Sequence, residues 1–241
     1  MLWLYRGAGQ QLWRRTLNER ISFVIPVLNE GEHIGALLAC LGETFPGAER
    51  IVVDGGSSDD TAARVLQSGT QLLLAEQGRA RQMNLGAKAA SGDYLVFLHA
   101  DSLPPENPRA LTGVLAQQPE WGFAPVVLSG QGRLLRLIEW SMNRRARVTR
   151  VATGDQMLFV RNSVFAALDG YADIQLMEDV ELCKRLRRLG PPAVLAEPVK
   201  TSSRRWEERG VLITMVQMWL LRLAYFCGVS PQRLWRFYYG T

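Results

Sequence analysis

The chain is poor in cysteine, histidine and lysine, and each shortage narrows what it can be. Of its 241 residues only three are cysteine (Cys40, Cys183 and Cys227), far apart and with no CxxC pair. That excludes a disulfide-stapled scaffold and a cysteine zinc cluster, and it suits a reducing compartment, the cytoplasm. The natural expectation is three single buried thiols. Histidine occurs twice, at His33 and His99. Lysine supplies three of the 28 basic residues, Lys88, Lys184 and Lys200, so arginine carries the net charge of +5. Long apolar runs are missing too. Met1–Tyr5 is shorter than the ~7–15 apolar residues of a signal-peptide core. Val211–Cys227 is shorter than the ~20 of a membrane span and is broken by Thr214, Gln217 and Arg222. At 100° per residue those three fall in one arc, the pattern of an amphipathic helix that docks on the domain or lies on a membrane surface. No GxGxxG opens a helix and no GxxxxGK[ST] occurs, so dinucleotide and P-loop chemistry lack their phosphate cradles.

What is present is an alternation of short apolar strands and helices. Strands are expected at Ile21–Val27, Arg50–Asp54, Gln71–Ala75 and Asp93–His99, and helices at Glu32–Leu41, Thr61–Gln67 and Arg79–Ala90. This pattern predicts an α/β fold with a mostly parallel central sheet covered on both faces. Ligands of such sheets sit at the carboxyl ends of the strands. Asn29 and Glu30 follow the first strand, Asp54-Gly55-Gly56-Ser57-Ser58-Asp59-Asp60 the second, and His99-Ala100-Asp101 the fourth. Asp59 or Asp60 reads as a cap of the helix at Thr61. Asp54 precedes two glycines, has no helix to cap, and is expected in the crevice. Asp101 is the hard oxygen donor that Mg²⁺ or Mn²⁺ would use beside a diphosphate. His99 either helps that metal, orients a nucleotide, or is a buried strand-end histidine.

Taken together, Pro26-Val27-Leu28-Asn29-Glu30, Val53–Asp59, Ser91-Gly92-Asp93-Tyr94, His99-Ala100-Asp101 and Met177-Glu178-Asp179 resemble the inverting family 2 glycosyltransferases of the GT-A fold. The resemblance runs from about Ile21 to Trp206. It is closest to small stand-alone bacterial members carrying R-x-R-Q-M-N-x-G-A (here Arg79–Ala87), FLHAD, GDQ, MED and a terminal S-x-RRW. It implies that Pro26, Leu28 and Glu30 border the nucleoside and that Asp54 hydrogen-bonds the base. Asp101 would hold the metal and diphosphate, and Asp179 would be the general base. Arg204, Arg205 and Trp206 would lie near the diphosphate and acceptor. In the same fold Asp155 and Gln156 would line the acceptor side. Glu178 would join that acceptor and diphosphate group; the alternative is that Asp179 simply caps an expected helix Val180–Leu189, with Glu178 beside it in solvent. Two positions depart from the family pattern. His99 stands where the first acid of the DxD motif is usual, and Met83 where many members have arginine. Arg79 and Arg81 are the candidates to take over the phosphate-facing role.

The implied reaction is metal-dependent, inverting transfer of a sugar from a nucleotide-diphosphate donor, UDP favoured, to a hydroxyl acceptor. The alternatives are a sugar-phosphate nucleotidyltransferase and a non-catalytic sugar-nucleotide or membrane-associated binder. The expected layout is an N-terminal extension (1–20), the GT-A domain (21–206) and C-terminal amphipathic helices (207–241). Arg133–Arg150 carries six arginines against Glu139. Such a run faces solvent, an anionic acceptor or anionic lipid heads. A lipid-linked acceptor, peripheral contact with the inner face of the cell membrane, and a homodimer are further candidate partners. Nucleic acid is not expected, because no recognition motif accompanies the arginines.

Overall fold

A computed structural model describes residues 21–240, except the side chains of Arg205, Arg209 and Leu212. The expected N-terminal extension therefore lies outside the described residues. A seven-stranded sheet in the order β3-β2-β1-β4-β8-β6-β9 is built from Gln71–Leu74 (β3), Glu49–Asp54 (β2), Ile21–Val27 (β1), Tyr94–Phe97 (β4), Phe159–Arg161 (β8), Trp121–Phe123 (β6) and Ala193–Val194 (β9). β1, β2, β3 and β4 run parallel; β8 is antiparallel to both β4 and β6, and β9 is parallel to β6. A three-stranded sheet joins Ser102–Leu103 (β5), Val199–Thr201 (β10) and Val126–Leu128 (β7). The expected mixed α/β fold with a mostly parallel sheet is the one found.

Every residue of β1 is buried, because helices cover both faces of the sheet. Phe23, Ile25 and Val27 pack with Ile34, Leu37 and Leu41 of the helix Gly31–Thr44. Val24 points the other way, towards Met83 and Ala87 of the helix Arg79–Ala89. Pro26 in so central a strand looks misplaced, since proline cannot donate to a ladder. Its register resolves this. β4 pairs with β1 only as far as Val24, and the last bond is Leu98 N–H to Val24 O at 3.1 Å. Pro26 therefore sits where the two strands have parted. The sheet order turns at β1, with β2 on one side and β4 on the other, so the crevice opens at the switch point where α/β sheets take ligands.

The C-terminal segment forms three helices, Arg204–Arg209, Val211–Phe226 and Pro231–Tyr239. Leu221, Leu234 and Tyr238 are buried in the cluster on the Val24 face. Of the three thiols only Cys183 is buried; Cys40 is half-buried and Cys227 exposed. The expectation of three buried thiols thus holds for one, whose pKa burial pushes up to about 12.

Candidate active site

Two loops at the carboxyl ends of β1 and β2 are sewn together. Asn29 takes a left-handed conformation (φ 55°), which a short amide side chain tolerates. Its Oδ1 accepts from Ser58 N–H at 2.8 Å, while its own N–H donates to Ser57 Oγ at 2.9 Å. Glu30 N–H donates to Thr61 Oγ1, and Gly31 N–H to Asp59 Oδ2 at 3.0 Å. Asp59, expected as a cap, serves two chain segments at once, because Thr61 N–H also donates to its Oδ1. Asp60 pairs instead with Arg64 at 2.7 Å, one turn on.

Asp54 is buried, and its Oδ1 accepts from Gly56 N–H (3.1 Å), Ser57 N–H (2.9 Å) and the Ser57 hydroxyl (2.7 Å). Sequence reasoning gave it nothing to cap; the structure gives it the turn itself. Gly56, at φ +95°, sits in backbone space that favours glycine. Pro26 is buried and Leu28 half-buried at the rim of the same crevice.

The segment Arg79–Ala87 proves largely architectural. Gln82 Nε2 donates to Val27 O and Val53 O, both at 2.8 Å, and so ties the ends of β1 and β2 from beneath. Asn84 clips the backbone of Tyr171 through both its atoms, at 2.8 and 2.9 Å. Gly86 is needed because a Cβ there would lie 2.5 Å from Val24 Cγ1. The two arginines part company. Both are exposed, and Arg81 bridges Asp173 (2.9 Å) and Glu76 (2.6 Å). Arg79 stands by Glu178, Asp155 and Asp179; desolvation works against its charge, but these carboxylates with Tyr239 raise its pKa overall.

At the end of β4 the His99 ring turns towards the loop that follows the helix Arg133–Thr149. Its Nδ1 lies 3.5 Å from Asp155 Oδ1. A Cβ at residue 154 would come within 2.6 Å of its Nε2, so Gly154 makes room for the ring. Glu30 lies in the same field. Burial raises its pKa first and the Asp101 charge second, against the lowering effects of His33, Arg204 and His99. Glu30 Oε2 is buried without a hydrogen-bond partner among the described residues. Arg204 also reaches Glu32 at 3.6 Å.

The second carboxylate group is deeper. Met177, left-handed at φ 70°, starts the helix Glu178–Leu186. Asp179 Oδ2 accepts from Gly154 N–H at 2.9 Å and Oδ1 from Val180 N–H at 2.6 Å. Burial raises its pKa against those two bonds. Glu178, in solvent on the capping alternative, is only 6% exposed. Burial and the neighbouring Asp179 charge push it to about 7, with Arg79 opposing. The helix starts at Glu178, two residues before the expected Val180. Arg145 also points here: burial lowers its pKa while Asp179, Cys183 and Asp155 raise it, and its Nη1 is buried without a partner among the described residues. Sequence reading counted Arg145 with a solvated arginine run. Its spacing, seven residues after Ile138, already placed it on the buried arc.

Gln156, an expected acceptor contact, is wholly buried and forms a capping box with Thr153 around the turn Gly154–Gln156. Trp206 packs on the cluster of Leu128, Leu135 and Ile138 rather than on the carboxylates. The Arg205 side chain lies outside those described.

Among the described residues no three His, Cys, Asp or Glu side chains converge as a closed metal cage. A divalent ion at a diphosphate commonly takes one or two carboxylates and completes its shell with phosphate oxygens and water. Asp101, with the unpartnered Glu30 Oε2 in its field, offers that open kind of site.

The model of glycosyl transferase family 2 matches residues 22–159. The chain belongs to glycosyl transferase family 2. Among its curated relatives is glucosyl-3-phosphoglycerate synthase of Mycobacterium tuberculosis, 30% identical over 145 residues. The alignment spans 56% of this chain and 41% of that protein. An uncharacterized glycosyltransferase of the same organism, Rv1514c, is 32% identical over 164 residues, 63% of this chain and 59% of its own. Glucosyl-3-phosphoglycerate synthase with Mn²⁺, UDP and phosphoglyceric acid aligns at TM-score 0.61 and 22% identity over 92% of this chain and 83% of that one. A Pyrobaculum calidifontis mannosyltransferase with GDP-Man and Mn²⁺ aligns at TM-score 0.59 and 20% identity over 82% and 64%. These solved structures share the fold.

Proposed function

We propose that this family 2 member transfers a glycosyl group, with inversion, from a nucleoside-diphosphate sugar to an acceptor hydroxyl. The observation that carries the reading is the Asp179 carboxylate. It is half-buried, held by two backbone N–H groups at the mouth of a helix, and bordered by the buried acid Glu178. A fixed carboxylate with a raised pKa suits proton abstraction, since a base works best when its pKa approaches the operating pH.

In the proposed step Asp179 takes the proton of the acceptor hydroxyl. The freed oxygen pair forms the new bond to the anomeric carbon, and the diphosphate leaves from the opposite face with the electrons of the broken C–O bond. Glu178, about half protonated near pH 7, would share the proton with Asp179, the two titrating as a pair. Arg79 would steady the negative charge beside them. On the donor side Pro26, Leu28 and the sewn loops after β1 and β2 would border the nucleoside, with Asp54 fixing the turn on which the base rests. Asp101, Glu30 and Arg204 face the diphosphate position. Mg²⁺ or Mn²⁺ held by Asp101 would offset charge developing on the departing diphosphate. UDP is the favoured donor nucleotide, the one bound by the synthase relative; GDP, as in the mannosyltransferase, is the second to try.

Calorimetric titration with UDP, GDP, CMP and dTDP, each with and without Mn²⁺, tests the donor site. One nucleotide is expected to bind tightly only with metal, and to lose that binding in Asp101→Ala. No binding by any of them overturns the reading. Once a donor is found, the anomeric configuration of the product, read by NMR, decides inversion.

A further inference from the structure

Two segments remain unused by the transfer chemistry: the arginine-rich helix Arg133–Thr149 and the helix Val211–Phe226. The second is laid on the domain the unexpected way round. Thr214 is 1% exposed, its hydroxyl bonded back to Gly210 O, and Gln217 and Arg222 are half-buried. The polar arc thus faces the protein. The outward arc holds Ile213, Val216, Trp219, Leu220, Leu223 and Phe226, each between 51% and 70% exposed. At 100° per residue these six fall within about 140°, the width of an apolar stripe that normally faces a core. A continuous exposed patch of this kind marks a contact surface.

The neighbouring helix shares the feature and adds charge. Leu135, Ile138 and Met142 meet Val211 and Met215 in one cluster, so the two helices lie side by side. The outward arc of helix 133–149 carries Leu137 and Trp140, exposed by 56% and 61%, between Arg133, Arg144 and Arg147. The Arg144 guanidinium lies over the Trp140 ring at 5.8 Å. Glu139, the one acid of this helix, is turned inward and accepts from Leu128 N–H. Helix 211–226 has no acid at all.

We infer that these two helices form a docking surface for an anionic lipid bilayer. The apolar row of helix 211–226 enters the headgroup–acyl boundary. Arginines alternating with Leu137 and Trp140 lay their stems and rings along that boundary and reach headgroup phosphates. The single sign of the outward charge selects this occupant, because a second copy docked face to face would bring arginines against arginines. No helix of the described residues is long and apolar enough to cross a membrane, so the contact lies flat in the interface.

Co-sedimentation of the full chain with vesicles of phosphatidylcholine alone, and of phosphatidylcholine mixed with phosphatidylglycerol, tests this. The chain is expected to pellet with the mixed vesicles, much less with the neutral ones, and less as salt is raised. Leu220→Glu with Leu223→Glu should lower partitioning about tenfold or more. Arg133→Ser with Arg144→Ser should remove the preference for anionic vesicles. All four positions are exposed, and circular dichroism checks that the fold is kept. The proposal is overturned if the chain stays in the supernatant with both vesicle types, if it pellets equally with both, or if the glutamate pair leaves binding intact. A dimer in sedimentation velocity that the glutamate pair dissociates, without vesicle binding, assigns the surface to a second copy and overturns it as well.

Discussion

Around the ends of β1 and β2, acidic groups are used up locally. Asp54 holds its own turn, Asp59 serves two neighbouring backbone segments, and Asn29 locks to Ser57 and Ser58. Around the start of helix 178–186 Glu178 is buried and Asp179 half-buried, crowded together and balanced by Arg79 and Arg145, which arrive from distant parts of the chain. The first region shapes the rim of the crevice at little electrostatic cost, because Asp54 Oδ1 and both Asp59 oxygens accept from N–H donors close in the chain or across one loop, while Glu30 Oε2 has no hydrogen-bond partner among the described residues. The second stores unfavourable charge where proton transfer is proposed. Shape and reactivity are thus separated, and a substitution should reveal which kind of region it has struck.

The largest expected effect is at the reactive region. Asp179→Asn keeps the shape of the side chain but not the base, and turnover should fall by about 10²–10⁴-fold while nucleotide binding measured by calorimetry changes little. Equal losses of binding and turnover would instead make Asp179 part of the architecture.

Gln82→Leu strikes the architectural side. It leaves Val27 O and Val53 O without their buried donor and should destabilise the fold by about 2 kcal/mol, seen in urea unfolding. A variant with unchanged stability would show that the two strand ends are held by other means.

Glu178→Gln sharpens the contrast through pH. A carboxyl raised from 4.5 to about 7 favours the fold below pH 4.5 and loses that contribution as pH rises through about 7. Removing it should therefore stabilise the chain at pH 8 by up to about 3 kcal/mol, with the gain shrinking towards pH 5. With one negative neighbour gone, the acid limb of turnover should also move to lower pH. A pH-independent change in the unfolding midpoint would refute the buried-charge account.

The smallest effect is expected at Arg81→Ala. Its partners Glu76 and Asp173 are solvent-exposed, and such pairs contribute little. Turnover and unfolding midpoint should both stay at the parent values, whereas Arg79→Ala should shift the pH profile.

Much of the crevice was readable in one dimension. Strand ends announce themselves by an apolar run followed by polar residues, and that rule located Glu30, Asp54, His99 and Asp101. It did not say how each acid is used. Asp54 was expected to reach into the crevice; three donors within the next three residues claim its Oδ1 instead. Arg81 and Arg79 are two residues apart on one helix and so point in different directions, Arg81 to Glu76 and Asp173 and Arg79 into the field of Glu178. Glu178 and Asp179 were found by motif, but the cap reading that left Glu178 in solvent does not fit its burial, which tertiary packing sets and a motif does not show.

The sequence by itself determined the first four long strands with the helices between them, and the family, and it directed attention to the carboxyl ends of those strands. Those follow from hydrophobic periodicity and from short motifs, which are local properties of the chain. Only the tertiary structure decided which acids are satisfied by backbone donors, which are buried together with raised pKa values, and that helix 211–226 turns its polar arc inward and its apolar arc to the outside. Those depend on desolvation and on charges brought together from distant parts of the chain, as Arg204 is beside Glu30. Burial and neighbouring charge are set by packing, and no local pattern encodes them.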